Sequence, residues 1–262
     1  MPPGTARYWS WLFAAAELRA SVLGIYALRA EWQALTDPAT EISVAHLKLA
    51  WWQEEMQRLA AGSPVHPISA YLAALPRAAS VDFMPLVAAV GAAAAQVSGV
   101  PLERGADLEP QLQALWGDPL ALASRLAGEV PEDTNLRNCT RALAAGDYLS
   151  KAILDYRREA RAGRVPFPID ELMAAGIDND ALCADRPPAH LRSYLELLRG
   201  RASRYFEIAA LELPRAQRPR QRHLLVLAAL GLARLNGRTP SLARRRLSDM
   251  LLAWGTARRA QM

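Results

Sequence analysis

The sequence predicts an all-α protein. Alanine, leucine, arginine and glutamate dominate as they do in helices, β-branched residues are sparse, and no stretch alternates apolar with polar residues. The 18 prolines and 15 glycines fall mostly between apolar-periodic stretches, where they act as start and stop marks rather than as linker composition. With 52% hydrophobic against 22% charged residues the chain can bury a large core, which excludes disorder for its bulk. Residues 1–262 are expected to form one compact helical domain, and no repeat of 20 to 50 residues suggests a solenoid.

The marks place a first helix from about Tyr8 to Leu35 and a second from about Glu41 to Ala61, closed by Gly62. A short helix follows His66-Pro67. Asp82 can cap a helix running to Gly99, and Asp118 with Pro119 at the first helical position reads as the start of another that ends at Gly128. The longest helix should run from a cap at Asp133 or Thr134 to a stop at Gly163, roughly 40 Å at 1.5 Å per residue. After the irregular Val165-Pro-Phe-Pro168 come a short helix to Gly176 and long ones from about Pro188 to Leu213, Pro219 to Asn236 and Ser241 to Arg258.

Several function classes are disfavoured by composition. The formal charge of +5, almost all arginine on the basic side, permits an anionic partner, but no basic run or aromatic-basic alternation points to nucleic acid. Cys139 and Cys183 make no disulfide framework and have no metal-ligand spacing, and four scattered histidines form no metal constellation. The first residues lack the charged and apolar regions of a signal peptide, so a reducing, cytoplasmic setting is expected. The apolar stretches Phe83 to Val100 and Leu224 to Leu235 read as buried helices, the first because Pro85 and Gln96 interrupt it and the second because it falls short of the ~20 residues of a spanning helix.

In the long central helix Leu136, Cys139, Leu143, Leu149, Ile153, Tyr156 and Ala160 define the buried stripe, and Tyr148, Ala152, Asp155 and Glu159 line its edge. Asp155 and Glu159 are one turn apart on that edge, close enough to share a cation, with Arg158 near the pair and Arg157 and Arg161 pointing away. Read from spacing alone, the pair is an ordinary solvated helix edge, neutralised by Arg158 or by a neighbouring helix. Glu31 is expected on a buried face with Gly24, Ala27, Leu28, Ala34 and Leu35, where it must meet a cation, a metal or a donor. Trp51 and Trp52 read as packing residues, and His66 before proline as a hydrogen-bonding residue at a helix start. Arg244, Arg245, Arg246, Arg258 and Arg259 make the last helix basic, a solvated face or a peripheral contact with a membrane surface or acidic partner.

Together these stretches resemble the squalene/phytoene synthase family: Tyr26-Ala-Leu-Arg-Ala-Glu31, Lys48-Leu-Ala-Trp-Trp52, Gly62-Ser-Pro-Val-His-Pro67, Asp155 to Pro168 with Ile169-Asp-Glu-Leu and Gly176, and Arg201-Ala with Tyr205 and Ala209. The resemblance implies a helical bundle of the isoprenoid-synthase type with a central apolar cavity. It also implies two aspartate-rich motifs across the cavity mouth, where magnesium ions bind a prenyl diphosphate and stabilise its departure before two prenyl chains join head to head. Glu31, Asp155 and Glu159 would then be the magnesium ligands, and Lys48, Arg158 and Arg164 the residues meeting the diphosphate. The chain departs from that pattern. Its first motif reads Arg29-Ala-Glu-Trp-Gln-Ala-Leu35 with Glu31 as the lone acid, and Leu154 stands before Asp155 where the family has arginine. The lone acid after Leu28-Arg-Ala is similar to the branch without evident catalysis represented by the mitochondrial complex I assembly factor related to phytoene synthase. Two readings follow: a non-catalytic scaffold or prenyl- or lipid-binding protein that works through a partner, or a divergent magnesium-dependent prenyltransferase using farnesyl or geranylgeranyl diphosphate.

Overall fold

The structure is a computed structural model that covers residues 2–37, 39–128, 133–237 and 242–261, and for 242–246 the backbone alone. Arg244, Arg245 and Arg246 therefore lie outside the described side chains. Thirteen α-helices occur among the described residues: α1 (Ala6–Leu12), α2 (Arg19–Leu35), α3 (Ile42–Ala60), α4 (Pro67–Ala73), α5 (Met84–Val97), α6 (Leu108–Leu112), α7 (Asp118–Leu126), α8 (Thr134–Arg161), α9 (Ile169–Ala174), α10 (Asn179–Cys183), α11 (Ala189–Glu212), α12 (Arg222–Asn236) and α13 (Leu242–Arg259). No strand occurs among them. No described helix is long and apolar enough to cross a membrane.

α8 is the spine. Asp133 caps it by accepting the N–H groups of Asn135 and Leu136, and all seven residues of the expected stripe are buried. It packs most extensively against α11, with α12, α7 and α6 around it. The close approach depends on two glycines: a Cβ on Gly146 of α8 would come within 2.9 Å of the Phe206 ring of α11, and one on Gly231 of α12 would collide with the same ring. Phe206 is thereby wedged between three helices. One continuous core joins α2 through α12, and a smaller one of Val226, Leu230, Ala253 and Ala257 seats α13 against α12 and α1.

Most boundaries follow the capping signals. His66 accepts the Ile68 N–H through Nδ1 at 3.2 Å and starts α4, Trp52 is buried and Trp51 half-exposed, and Gly62, Gly163 and Gly176 close their helices at positive φ. Three expectations need correction. The stretch Tyr8 to Leu35 is broken at Phe13 to Ala15, because Arg222 of α12 donates to the carbonyls of Phe13 at 2.7 Å and Ala14 at 3.3 Å and so replaces the helical hydrogen bonds lost there. α7 does begin at Asp118 with Pro119 in its first turn, but Asp118 is already helical and is not a cap: a π turn at Gln113–Gly117 joins α6 to α7, and such a widened turn accommodates a proline that lacks an N–H and crowds the preceding turn. The short α10, capped by Asp178, was not foreseen.

Candidate functional site

Glu31 is not buried. The core face of α2 is Val22, Ile25, Leu28, Trp32 and Leu35, which turns Glu31 outward into a shallow groove shared with Lys48, Trp51 and His66. Lys48 is exposed in that same groove. Neither residue lines the pocket that holds Asp155 and Glu159. The structure therefore separates Glu31 and Lys48 from the other residues expected to form one site, and places Arg158 and Arg164 with the acidic pair.

That pocket, about 1230 Å³ including the part open to solvent, lies between α2, α8, the end of α5 and the loop after α8. α8 contributes Asp147, Lys151, Asp155 and Glu159, which recur every four residues and so share one face, with Tyr148 and Ala152 beside them. α2 contributes Arg29, Trp32, Gln33 and Thr36, without a carboxylate. The rest of the lining is largely apolar, including Ala93, Val100, Leu102, Leu115 and Phe167.

The loop is fixed where it meets the acids. Gly163 at φ 74° lets the Arg164 N–H return to the Glu159 carbonyl at 2.9 Å, and the Arg164 guanidinium reaches across to donate to the Thr36 carbonyl at 2.7 Å. Tyr148 donates to the Pro166 carbonyl at 3.0 Å, and burial, assisted by the charge of Glu159, pushes its hydroxyl up to about 12, so it stays a donor at neutral pH. Phe167 anchors the loop in the core, edge-on to Tyr194 at 5.5 Å.

Every carboxylate in the pocket already has a cation. Lys151 lies 3.7 Å from Asp155 and 3.8 Å from Glu159, Arg158 lies 3.5 and 3.8 Å from the same two, and Arg164 is 3.9 Å from Glu159. Arg158 also reaches Asp37 at 3.4 Å. Asp147 pairs with Arg29 at 3.1 Å, and the Arg29 guanidinium stacks 4.1 Å over the Trp116 ring. Burial draws Arg29 down to about 10, partly offset by Asp147, so it remains charged at neutral pH.

These residues do not fit a magnesium cluster. Magnesium needs carboxylate oxygens in near-octahedral array, usually with substrate phosphates completing the shell. Here one wall offers no carboxylate, and the three on the other wall, Asp147, Asp155 and Glu159, each lie within 4 Å of a side-chain cation. Among the described residues no three His, Cys, Asp or Glu side chains converge as a metal site.

The sequence pattern of the family described as squalene/phytoene synthase matches residues 3–239. This chain belongs to the squalene/phytoene synthase family. Among curated proteins it is 23% identical over 206 residues to phytoene synthase 1, chloroplastic, of Arabidopsis thaliana, covering 77% of this chain and 49% of that protein, so it spans about half the length of that relative. Its fold is similar to a crystal structure of a dehydrosqualene synthase in complex with ligand, with a TM-score of 0.74, 15% identity and coverage of 97% of this chain and 92% of that one. It is also similar to squalene synthase HpnC from Alicyclobacillus acidocaldarius, with a TM-score of 0.61, 20% identity and coverage of 96% and 88%. At such identities the structural likeness establishes the fold, the isoprenoid-synthase type expected from the sequence.

Spacing already held part of what was missed. Asp147 and Lys151 precede Asp155 and Glu159 at successive four-residue steps, so the same face could have been extended two turns backward. Glu171, which accepts from Arg201 at 2.7 Å and from Tyr194 at 2.9 Å, explains why Arg201 belongs to the family-like text: the pair ties α9, just after the pocket loop, to α11.

Proposed function

We propose that this chain is a non-catalytic member of the squalene/phytoene synthase family, a scaffold or prenyl- or lipid-binding protein. One observation carries the reading: Lys151 and Arg158 both lie within 4 Å of both Asp155 and Glu159. In a metal-dependent prenyltransferase the carboxylates must be free to gather cations, since metal charge stabilises the leaving diphosphate by several kcal/mol, and each ~1.4 kcal/mol lost from that stabilisation is tenfold in rate. A tethered ammonium and guanidinium at the same oxygens compete with the ion at a permanently high local concentration. The bare α2 wall supports the same conclusion, and the lone acid of Leu28-Arg-Ala-Glu31 supports assignment to the branch that includes the complex I assembly factor.

Incubation of the purified chain with farnesyl or geranylgeranyl diphosphate, magnesium and NADPH tests the reading. The expected result is neither released diphosphate nor a C30 or C40 hydrocarbon above the protein-free control. Turnover would establish the divergent prenyltransferase instead.

A further inference from the structure

The pocket's electrostatics say more about its ligand than that it is not turned over. Its lining carries three cations, Arg29, Lys151 and Arg164, against three carboxylates, Asp147, Asp155 and Glu159, and each carboxylate is paired. Just outside, Arg158 and Asp37 pair with each other and leave the balance unchanged. A pocket of this kind has no surplus positive charge for a diphosphate and no surplus negative charge to recruit the metal that would neutralise one. A diphosphate would have to displace Asp155 and Glu159 from their partners and leave carboxylates facing its own charge. An uncharged ligand imposes no such conflict.

Two further features describe that ligand. The lining also includes Ala93 of α5, Leu102 of the stretch between α5 and α6, Leu115 of the π turn and Phe167 of the loop after α8, apolar side chains that suit a hydrocarbon chain. Trp32, on the pocket wall and only 4% exposed, has an indole N–H without an acceptor among the described residues, and the same holds for the Nε–H of neighbouring Arg29. Buried donors left unsatisfied cost free energy, and a ligand oxygen relieves that cost.

We propose that the pocket binds an uncharged isoprenoid chain with an oxygen acceptor at one end, an isoprenoid alcohol rather than its diphosphate, and binds it without a divalent cation. The proposal rests on the non-catalytic reading but fails separately from it. The apolar wall buries the chain, and Trp32 with Arg29 donates to the terminal oxygen.

Calorimetric titration of the full chain with farnesol and with farnesyl diphosphate, each with magnesium and with EDTA, tests it. Farnesol is expected to bind at least tenfold more tightly than the diphosphate, with an affinity that magnesium leaves unchanged. Trp32→Phe, which keeps an aromatic ring and removes the N–H, should weaken farnesol about fivefold to tenfold while circular dichroism shows the helical fold retained. Tighter or magnesium-dependent binding of the diphosphate, no binding of farnesol, or an unchanged affinity in folded Trp32→Phe would each overturn the proposal. Magnesium-dependent diphosphate binding without turnover would do so while leaving the non-catalytic reading in place.

Discussion

Replacing Glu55 with alanine is expected to cost at least about 3 kcal/mol of folding stability, because hydrogen bonds to a charged acceptor contribute ~1.5 to 3 kcal/mol each and three would be lost, two of them from backbone N–H groups left behind without that acceptor. Glu55 is completely buried on α3 and accepts the backbone N–H groups of Val65 at 3.0 Å and His66 at 2.8 Å, together with Arg58 Nε at 2.9 Å. It thus holds the chain between Gly62 and the His66 cap of α4 against α3, one turn beyond Lys48-Leu-Ala-Trp-Trp52, and so joins the two family-like stretches of this region. Burial would raise the pKa of Glu55, but the hydrogen bonds from His66, Arg58 and Val65 outweigh it and hold the carboxyl below its ordinary range. A depressed carboxylate stabilises the fold above its unfolded pKa, and that contribution fades as pH falls through the folded value. Urea unfolding followed by circular dichroism should show the large loss for Glu55→Ala at pH 7 and a smaller one for Glu55→Gln, which keeps the shape and one acceptor. A loss under 1 kcal/mol in Glu55→Ala would show that the clamp contributes little.

Acidification should unfold the protein through His223. This side chain is fully buried on α12, neither ring nitrogen has a partner among the described residues, and burial, reinforced by the adjacent charge of Arg222, pushes its pKa down from 6.5 to about 3. Between those two values the unfolded chain binds a proton that the native state refuses, so stability rises with pH across the interval and is lost on acidification at up to ~1.4 kcal/mol per pH unit. At two units below the unfolded pKa the loss is about 3 kcal/mol from this residue alone. His223→Leu, which removes both the titration and two unsatisfied nitrogens, should be at least as stable as the natural chain at pH 7.5 and lose about 3 kcal/mol less between pH 7.5 and 4.5. Equal losses in the two proteins would mean that His223 is protonated in the native state.

The sequence displayed the fold more fully than the site, and particular residues show why. The stripe of α8 was readable because large apolar side chains recur on it without ambiguity and Gly163 marks its end. The phase of α2 was misread because Ala27, Ala30 and Ala34 bury little area whichever way they face, whereas Ile25 and Trp32 set the orientation and turn Glu31 to the outside. Arg29 with Asp147, 118 positions apart, and Arg164 with the Thr36 carbonyl, 128 apart, arise from tertiary packing that helical periodicity does not encode. The break at Phe13 to Ala15 has the same origin, since the group that stabilises it, Arg222, lies more than 200 positions away.

The central claim is that side-chain cations hold the acidic pair and leave no place for metal. Electron paramagnetic resonance of manganese, titrated into the full chain with the unreactive analogue farnesyl thiodiphosphate, counts bound ions directly. The account predicts no protein-dependent loss of the free manganese signal beyond that of the analogue alone, and stoichiometric uptake of two or three ions per chain would contradict it.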